Sequence, residues 1–261
     1  MVRQSSCVES LYRKSDDSYN LLPKLLLALQ QTNLESVVDI HTTATATPNV
    51  FEFKYAFWAF KPALNGFKYC LPILTIDGIR LYGKYKGHLL IAVGYNANKE
   101  IYPVSYSIVD AETGDSWVWF LKLVAQHVFG EFEHICIISD RHGGIDVAFR
   151  TLSELCEPRL QRRYCLRHLR SNLMTKFKNK DLKSLVWQAG CAFDERGFNA
   201  TMSTFRAIDE AAFDYLNDIP ACYWALSHDC RFLPVSAIMM VTFEKLALQF
   251  AYRQTKGLVM Q

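Results

Sequence analysis

Two aspartates stand where a metal-dependent phosphoryl chemistry would need them. Asp77 follows the apolar run of residues 71–76, and Asp140 follows the apolar run of residues 134–139. A carboxylate just past a strand end lies at the rim of a sheet while the strand fixes its backbone. Two such groups from neighbouring strands can share Mg²⁺, a hard cation that takes oxygen ligands and keeps waters for a phosphate substrate. A pair of ions about 3.5–4 Å apart can activate an attacking oxygen and stabilise a leaving one. The same residues also suit plain turns, since Asp77-Gly78 is ordinary turn chemistry. On spacing alone both readings stand.

Cys165 and His168 form a single CxxH. Structural zinc wants four ligands, so the motif is half a site, and His228 and Cys230 would have to complete it. Zinc is not expected, and His168 is read as a structural residue hydrogen-bonded near the sheet rim. Residues 78–85 (GIRLYGKY) imitate a phosphate-binding loop, but Tyr85 stands where Ser or Thr must ligate Mg²⁺, and a strand follows rather than a helix. That loop is rejected, which leaves Lys84 and Lys86 as candidate phosphate contacts.

Charge adds a second kind of candidate. Between Arg159 and Lys183 nine basic residues face one acid, so this block carries +8 while the rest of the chain carries −5. The chain's net charge of +3 is therefore a cancellation. Arg162, Arg163, Arg167, Arg170, Lys176 and Lys178 are the candidate DNA contacts, each phosphate contact releasing counterions and making binding salt-dependent. A solvated helix face paired with the acidic stretch of residues 194–218 explains the same charges equally well.

The elements that must position these residues follow from periodicity. Strands are expected over residues 51–60, 71–76, 88–95, 101–109, 134–139 and 161–165, with the 134–139 strand stopped by Asp140. A helix opens near Asp115 or Ser116, with Trp117, Phe120, Leu121, Val124 and Val128 at helical spacing, and another runs from Gly143-Gly144 through Leu155. Helices are also expected over residues 21–31, 171–177, 182–191, 204–216 and 235–252. Residues 41–48 suit a linker or an edge strand, and the first twenty suit a loose leader. The order suits a mixed α/β sheet with helices on its faces, followed by a helical annex.

Composition excludes several classes. Half of the 261 residues are apolar and 13% are aromatic, the profile of a packed core rather than of a disordered tail or a polycation. The eight cysteines form no CxxC pair, which suits a reducing compartment. No apolar run is long enough to span a bilayer, so no membrane partner is expected.

The segments IDG at residues 76–78, SWVWFL at 116–121, SDRHGGI at 139–145 and CLRHL at 165–169 together resemble the core of plant Mutator-like element (MULE) transposases. The resemblance runs from about Ser18 to Tyr252. It implies a ribonuclease H-like fold and a DDE-type, Mg²⁺- or Mn²⁺-dependent transposase: water attacks a phosphodiester at the element end, and the freed 3′-hydroxyl then attacks target DNA. Asp77 and Asp140 take the places of the first two catalytic, metal-binding acids, and Cys165 and His168 match the family's CxxH. DNA is the implied partner, the nucleus the implied location, and a homo-oligomer is compatible with it. The implied domains are a leader and helix over residues 1–50, the core over 51–168 and an internally truncated annex over 169–261.

Two departures qualify what the resemblance implies. The family's third acid is a glutamate in a segment reading roughly T-N-x-x-E-S-x-N after the helical insertion. Residues 224–234 run straight through without that segment, and neither Asp229 nor Glu244 matches its motif. No CxC…HxC zinc finger follows either. The resemblance therefore implies DNA strand cleavage and transfer weakened by a lost acid. Two alternatives stay open: a DNA-binding regulator without cutting activity, similar to the far-red-response regulators of plants, and a non-functional transposon fragment.

Overall fold

The computed structural model describes residues 18–48, 50–82, 86–130 and 132–229. The expected leader up to residue 17, the expected helix over 235–252, Lys84, Cys230 and Glu244 lie outside the described residues.

The chain forms a mixed α/β fold compatible with the ribonuclease H-like class. Its sheet has seven strands, β1 (Val37–Ala44), β2 (Phe51–Ala59), β3 (Ile73–Arg80), β4 (His88–Tyr95), β5 (Ile101–Val109), β6 (Ile135–Ser139) and β7 (Leu160–Tyr164). Their spatial order is β1-β2-β5-β4-β3-β6-β7. The pairs from β1 to β3 are antiparallel, as hairpins demand, whereas β6 and β7 join in parallel. Parallel neighbours need crossover helices. Those are α3 (Gly114–His127), between β5 and β6, and α4 (Gly143–Thr151), between β6 and β7. The remaining helices are α1 (Ser18–Thr32), α2 (Lys61–Phe67), α5 (Leu166–Phe177), α6 (Leu182–Cys191), α7 (Glu195–Ile208) and α8 (Glu210–Asn217).

Each crossover helix starts at a side-chain cap. Thr113, rather than Asp115 or Ser116, caps α3: its hydroxyl accepts from Ser116 N, and Ser116 Oγ accepts in return from Thr113 N at 2.9 Å. Trp117, Phe120, Leu121 and Val124 then fall on one face of α3 and bury against Phe57, Leu74, Leu90 and Ile137 of the sheet. Ile145 and Ala148 bring α4 into the same core. Gly144 lets the two helices close up, because a Cβ there would meet Thr113 O and Trp117 Cδ1, both at 2.8 Å. The opposite sheet face carries Ile73, Leu89, Ile91, Val93, Tyr95, Cys136 and Ile138, with α1 burying Leu22 and Leu26 against Ala56 beside it.

The annex has its own core. Leu166, Leu169 and Leu173 of α5 meet Leu182, Val186 and Ala189 of α6, Phe198, Met202 and Phe205 of α7, and Leu216 of α8. A fully buried long-range ion pair ties it to the sheet, joining Arg163 of β7 to Asp229 at 2.6 Å.

Several local expectations change. The helix expected through Leu155 ends at Thr151, because Leu152 is extended. The strand carrying Asp77 does not stop at Asp77-Gly78; β3 continues to Arg80 because Asp77, Gly78 and Ile79 pair with Ile91, Leu90 and Leu89 of β4. The single helix expected over residues 204–216 is two, since Asp209 leaves helical geometry and its carboxylate accepts from Ala212 N to start α8. The segment read as linker or edge strand is an edge strand, shifted to Val37–Ala44.

Candidate active site and nucleic-acid interface

Register brings the two aspartates together. The parallel pairing of β3 with β6 ends at Thr75 opposite Ile138, and Asp77 and Asp140 each lie two residues further on. With a period of two, both belong to the face that carries Ile73, Cys136 and Ile138. Asp77 is thus inside a strand rather than past its end, while Asp140 does follow the last residue of β6.

Asp77 is largely enclosed, its side chain 12% exposed. One carboxylate oxygen accepts from Gly78 N at 3.0 Å, and the other accepts from Arg167 Nη2 at 3.4 Å. Burial pushes its carboxyl up to about 7; the Arg167 guanidinium pulls it down, and the negative charges of Asp140 and Glu112 push it up again. Asp140 Oδ1 accepts from His142 N at 3.0 Å, which fixes the turn that leads into α4. His142 Nδ1 in turn accepts from Gly144 N and caps that helix.

The CxxH motif opens α5 directly against this pair. Cys165 N donates to Ser139 O at 2.7 Å, tying the start of α5 to the end of β6. Burial pushes the Cys165 thiol up, so it behaves as a small apolar group. His168 is driven down to about 4, first by burial and then by the adjacent Arg167 charge, against the pull of Asp140. Arg167 can only donate, so the His168 Nε2 facing its Nη2 is the acceptor and the imidazole is neutral. His228, the other nitrogen ligand considered for zinc, lies in the annex with its ring 4.7 Å from that of Phe198.

A third carboxylate, which spacing did not single out, stands close by. Glu112 lies immediately before the Thr113 cap, and its carboxyl fills the space over Gly78, where a Cβ would come within 2.8 Å of Oε1. Glu112 Oε1 accepts from Trp117 Nε1 at 3.2 Å, with His142 Nδ1 at 3.6 Å and His88 Nε2 at 3.9 Å from its oxygens. Gly78 alternates with Asp77 along β3, so Glu112 approaches from the other side of the sheet. An acid just before a helix cap is the one sequence signal it offers.

As donors, Asp77 and Asp140 suit one hard divalent cation that keeps most of its waters. Their mutual repulsion and the desolvation of Asp77 both favour a positive charge between them, a charge that Arg167 supplies on the Asp77 side. Among the described residues, no group of three or more His, Cys, Asp or Glu side chains is arranged to hold a metal ion. The pair fits a single ion better than a two-ion centre.

The basic block divides by direction. Arg162 turns inward, 2.6 Å from Asp146 and stacked over Phe149 and Tyr164. Arg163 is buried against Asp229, and Arg167 faces Asp77. Arg170 lies over the Trp187 ring at 5.3 Å, and Lys176 lies over the Tyr215 ring at 4.4 Å. Lys176, Lys178 and Lys86 are exposed. Lys178 ends α5 in the left-handed region at φ 54°. The block is therefore part scaffold and part solvent-facing surface.

No helix among the described residues is long and apolar enough to cross a membrane. No curated protein matches the chain. Residues 73–172 match the family described as the MULE transposase domain, a span running from the first residue of β3 into α5. Asp77, Glu112, Asp140, Cys165 and His168 all fall inside that span, and it is this segment of the chain that is similar to the MULE transposase domain.

Proposed function

We propose that this chain is a transposase-derived, nuclear DNA-binding protein whose strand-cleaving centre is built on Asp77 and Asp140 and weakened by the loss of a third acid. The observation that carries this reading is the level placement of two carboxylates on adjacent strands, inside the segment that matches a transposase domain.

In this reading Asp77 and Asp140 hold Mg²⁺ or Mn²⁺. When bound, the ion supplies Lewis-acid activation of water and neutralises charge on the scissile phosphate. The side chains do the rest. Deprotonated Asp77 would hold the ion on the side where Arg167 now stands. Arg167 would then be a charge-assisted donor for a phosphodiester oxygen next to that ion. His142 N keeps Asp140 aimed, and neutral His168 accepts from Arg167 without adding charge. Exposed Lys86, Lys176 and Lys178 bind phosphates of the duplex. A missing carboxylate leaves a second ion without a ligand, a loss of several kcal/mol of transition-state stabilisation.

The alternative is a regulator that binds DNA without cutting it. The Arg167–Asp77 contact favours it, because that carboxylate already has a cationic partner. A nicking assay separates the two. Supercoiled DNA carrying terminal repeats, incubated with the protein and Mg²⁺ or Mn²⁺, should be nicked slowly, and Asp77→Asn or Asp140→Asn should abolish nicking. Nicking that survives both substitutions contradicts the catalytic assignment. DNA binding without any nicking favours the regulator.

A further inference from the structure

The two edges of the sheet differ. At one, β7 is flanked by the annex, with the Tyr223 ring 5.2 Å from that of Tyr164 and Asp229 paired with Arg163. At the other, no strand among the described residues pairs with the outer edge of β1. Such an edge is a template for another strand, and monomeric sheets blunt it with Lys, Pro or a bulge. β1 reads VVDIHTTA, with neither Lys nor Pro. The bulge in its pairing falls at Lys54 of β2, so β1 itself stays regular. In the adjoining elements Leu27, Leu34 and Phe51 are exposed, and Phe51 pairs with Ala44 at the end of β1.

Backbone accounting gives what this edge offers. Asp110 N donates to Lys54 O, so the next N–H, that of Tyr55, points the other way, to β1. Tyr55, Phe57 and Ala59 therefore bond to His41, Asp39 and Val37. The N–H and C=O groups of Val38, Ile40 and Thr42 are left directed at the open edge. The same alternation puts Val38 and Ile40 on the α1 face, packed with Leu22 and Leu26. Asp39 and His41 are exposed on the other face. His41 is stacked on Tyr55 at 5.5 Å, and His127 of α3 lies within electrostatic reach of Asp39.

We infer that β1 pairs antiparallel with β1 of a second copy of this chain, about a twofold axis through Ile40. An axis through Asp39 or His41 would set like side chains face to face. The axis through Ile40 sets Asp39 opposite the partner's His41, and does so twice. Those are the non-hydrogen-bonded pairs, where side chains come closest. Ile40 bonds to its own copy and Val38 to the partner's Thr42, each pair exchanging two backbone hydrogen bonds. A strand complementary to itself in this way is what an isologous interface requires. The dyad joins the two seven-stranded sheets into one. It leaves both Asp77–Asp140 pairs on one face, nine strand spacings or roughly 43 Å apart. No residue of the proposed cleavage centre takes part, so the two readings fail separately.

The test is sedimentation equilibrium of the full chain at tens of micromolar and pH 6, where an ordinary histidine is mostly protonated. The wild type should sediment at twice the chain mass. Asp39→Lys and His41→Glu should each weaken dimerisation by roughly 5- to 50-fold in Kd, since each removes the opposite-charge pair at both symmetric positions. Mixed in equal amounts, the two variants should dimerise again, because the new lysine of one then faces the new glutamate of the other. That recovery also shows that both variants fold. Thr42→Pro, which removes an N–H directed at the open edge and no bond to β2, should separate the copies as well. A wild type that is monomeric throughout this range overturns the inference. So does an assembly that survives Thr42→Pro and both charge variants, or a mixture that stays as dissociated as its components.

Discussion

Asp77 is the pivotal residue of the proposed chemistry, and burial holds its carboxyl at about 7, well above an ordinary aspartate. A folded-state value raised in this way favours the neutral form in the fold. The stability it contributes is full below about pH 4 and is lost as the pH rises through about 7. Asp77→Asn, neutral at every pH, should therefore match the wild type near pH 4 in EDTA and melt at a higher temperature near pH 8. Scanning calorimetry across that range checks it, and a constant difference between the two proteins would contradict the assignment. His168 runs the other way: its value of about 4 means stability lost as the pH falls from its ordinary 6.5 through about 4. That loss is common to both proteins and cancels in the comparison. Asp77 and Asp140 were legible from the apolar runs before them, whereas Glu112 was not. Its carboxyl meets Gly78 only because α3 packs across the sheet. Nor does a charge count reveal that Arg162 and Arg163 point inward, since their partners Asp146 and Asp229 are set by tertiary contacts.

At the scale of elements, the site depends on how closely α3 and α4 approach. The Asp140 turn continues through His142 into the start of α4, and Gly144 sits against Thr113 and Trp117 of the neighbouring helix start. Gly144→Ala should force the two helix starts apart and destabilise the fold by about 1–3 kcal/mol, the usual range for overpacking. Urea denaturation measures this, and a variant as stable as the wild type would show that the contact is not tight. Most elements could be read from periodicity because the sheet alternates and α3 repeats its apolar residues at helical spacing. The failures have local causes. Asp77-Gly78 has turn chemistry, but pairing with β4 overrides it, so β3 runs on to Arg80. Residues 204–216 have one apolar period, but Asp209 caps a new helix in the middle.

At the scale of the whole molecule, a sheet that sets the two aspartates level is joined to an annex that carries the exposed lysines of the basic block. The join is the start of α5 at Cys165 and the buried Arg163–Asp229 pair, which pins the last described residue to β7. Losing one partner of such a pair leaves an uncompensated buried charge, so the join has little freedom to shift. Within the +8 block, Arg163 and Arg167 tie sheet to annex, and the lysines face solvent. The central proposal is that the sheet rim binds a divalent cation on Asp77 and Asp140. Titrating Mn²⁺ into the metal-free protein, followed by the loss of free-ion electron paramagnetic resonance signal, tests that claim most directly. One weakly held Mn²⁺ per chain is expected, with binding abolished by Asp77→Asn and by Asp140→Asn. Mn²⁺ binding that is undiminished in both variants would contradict it.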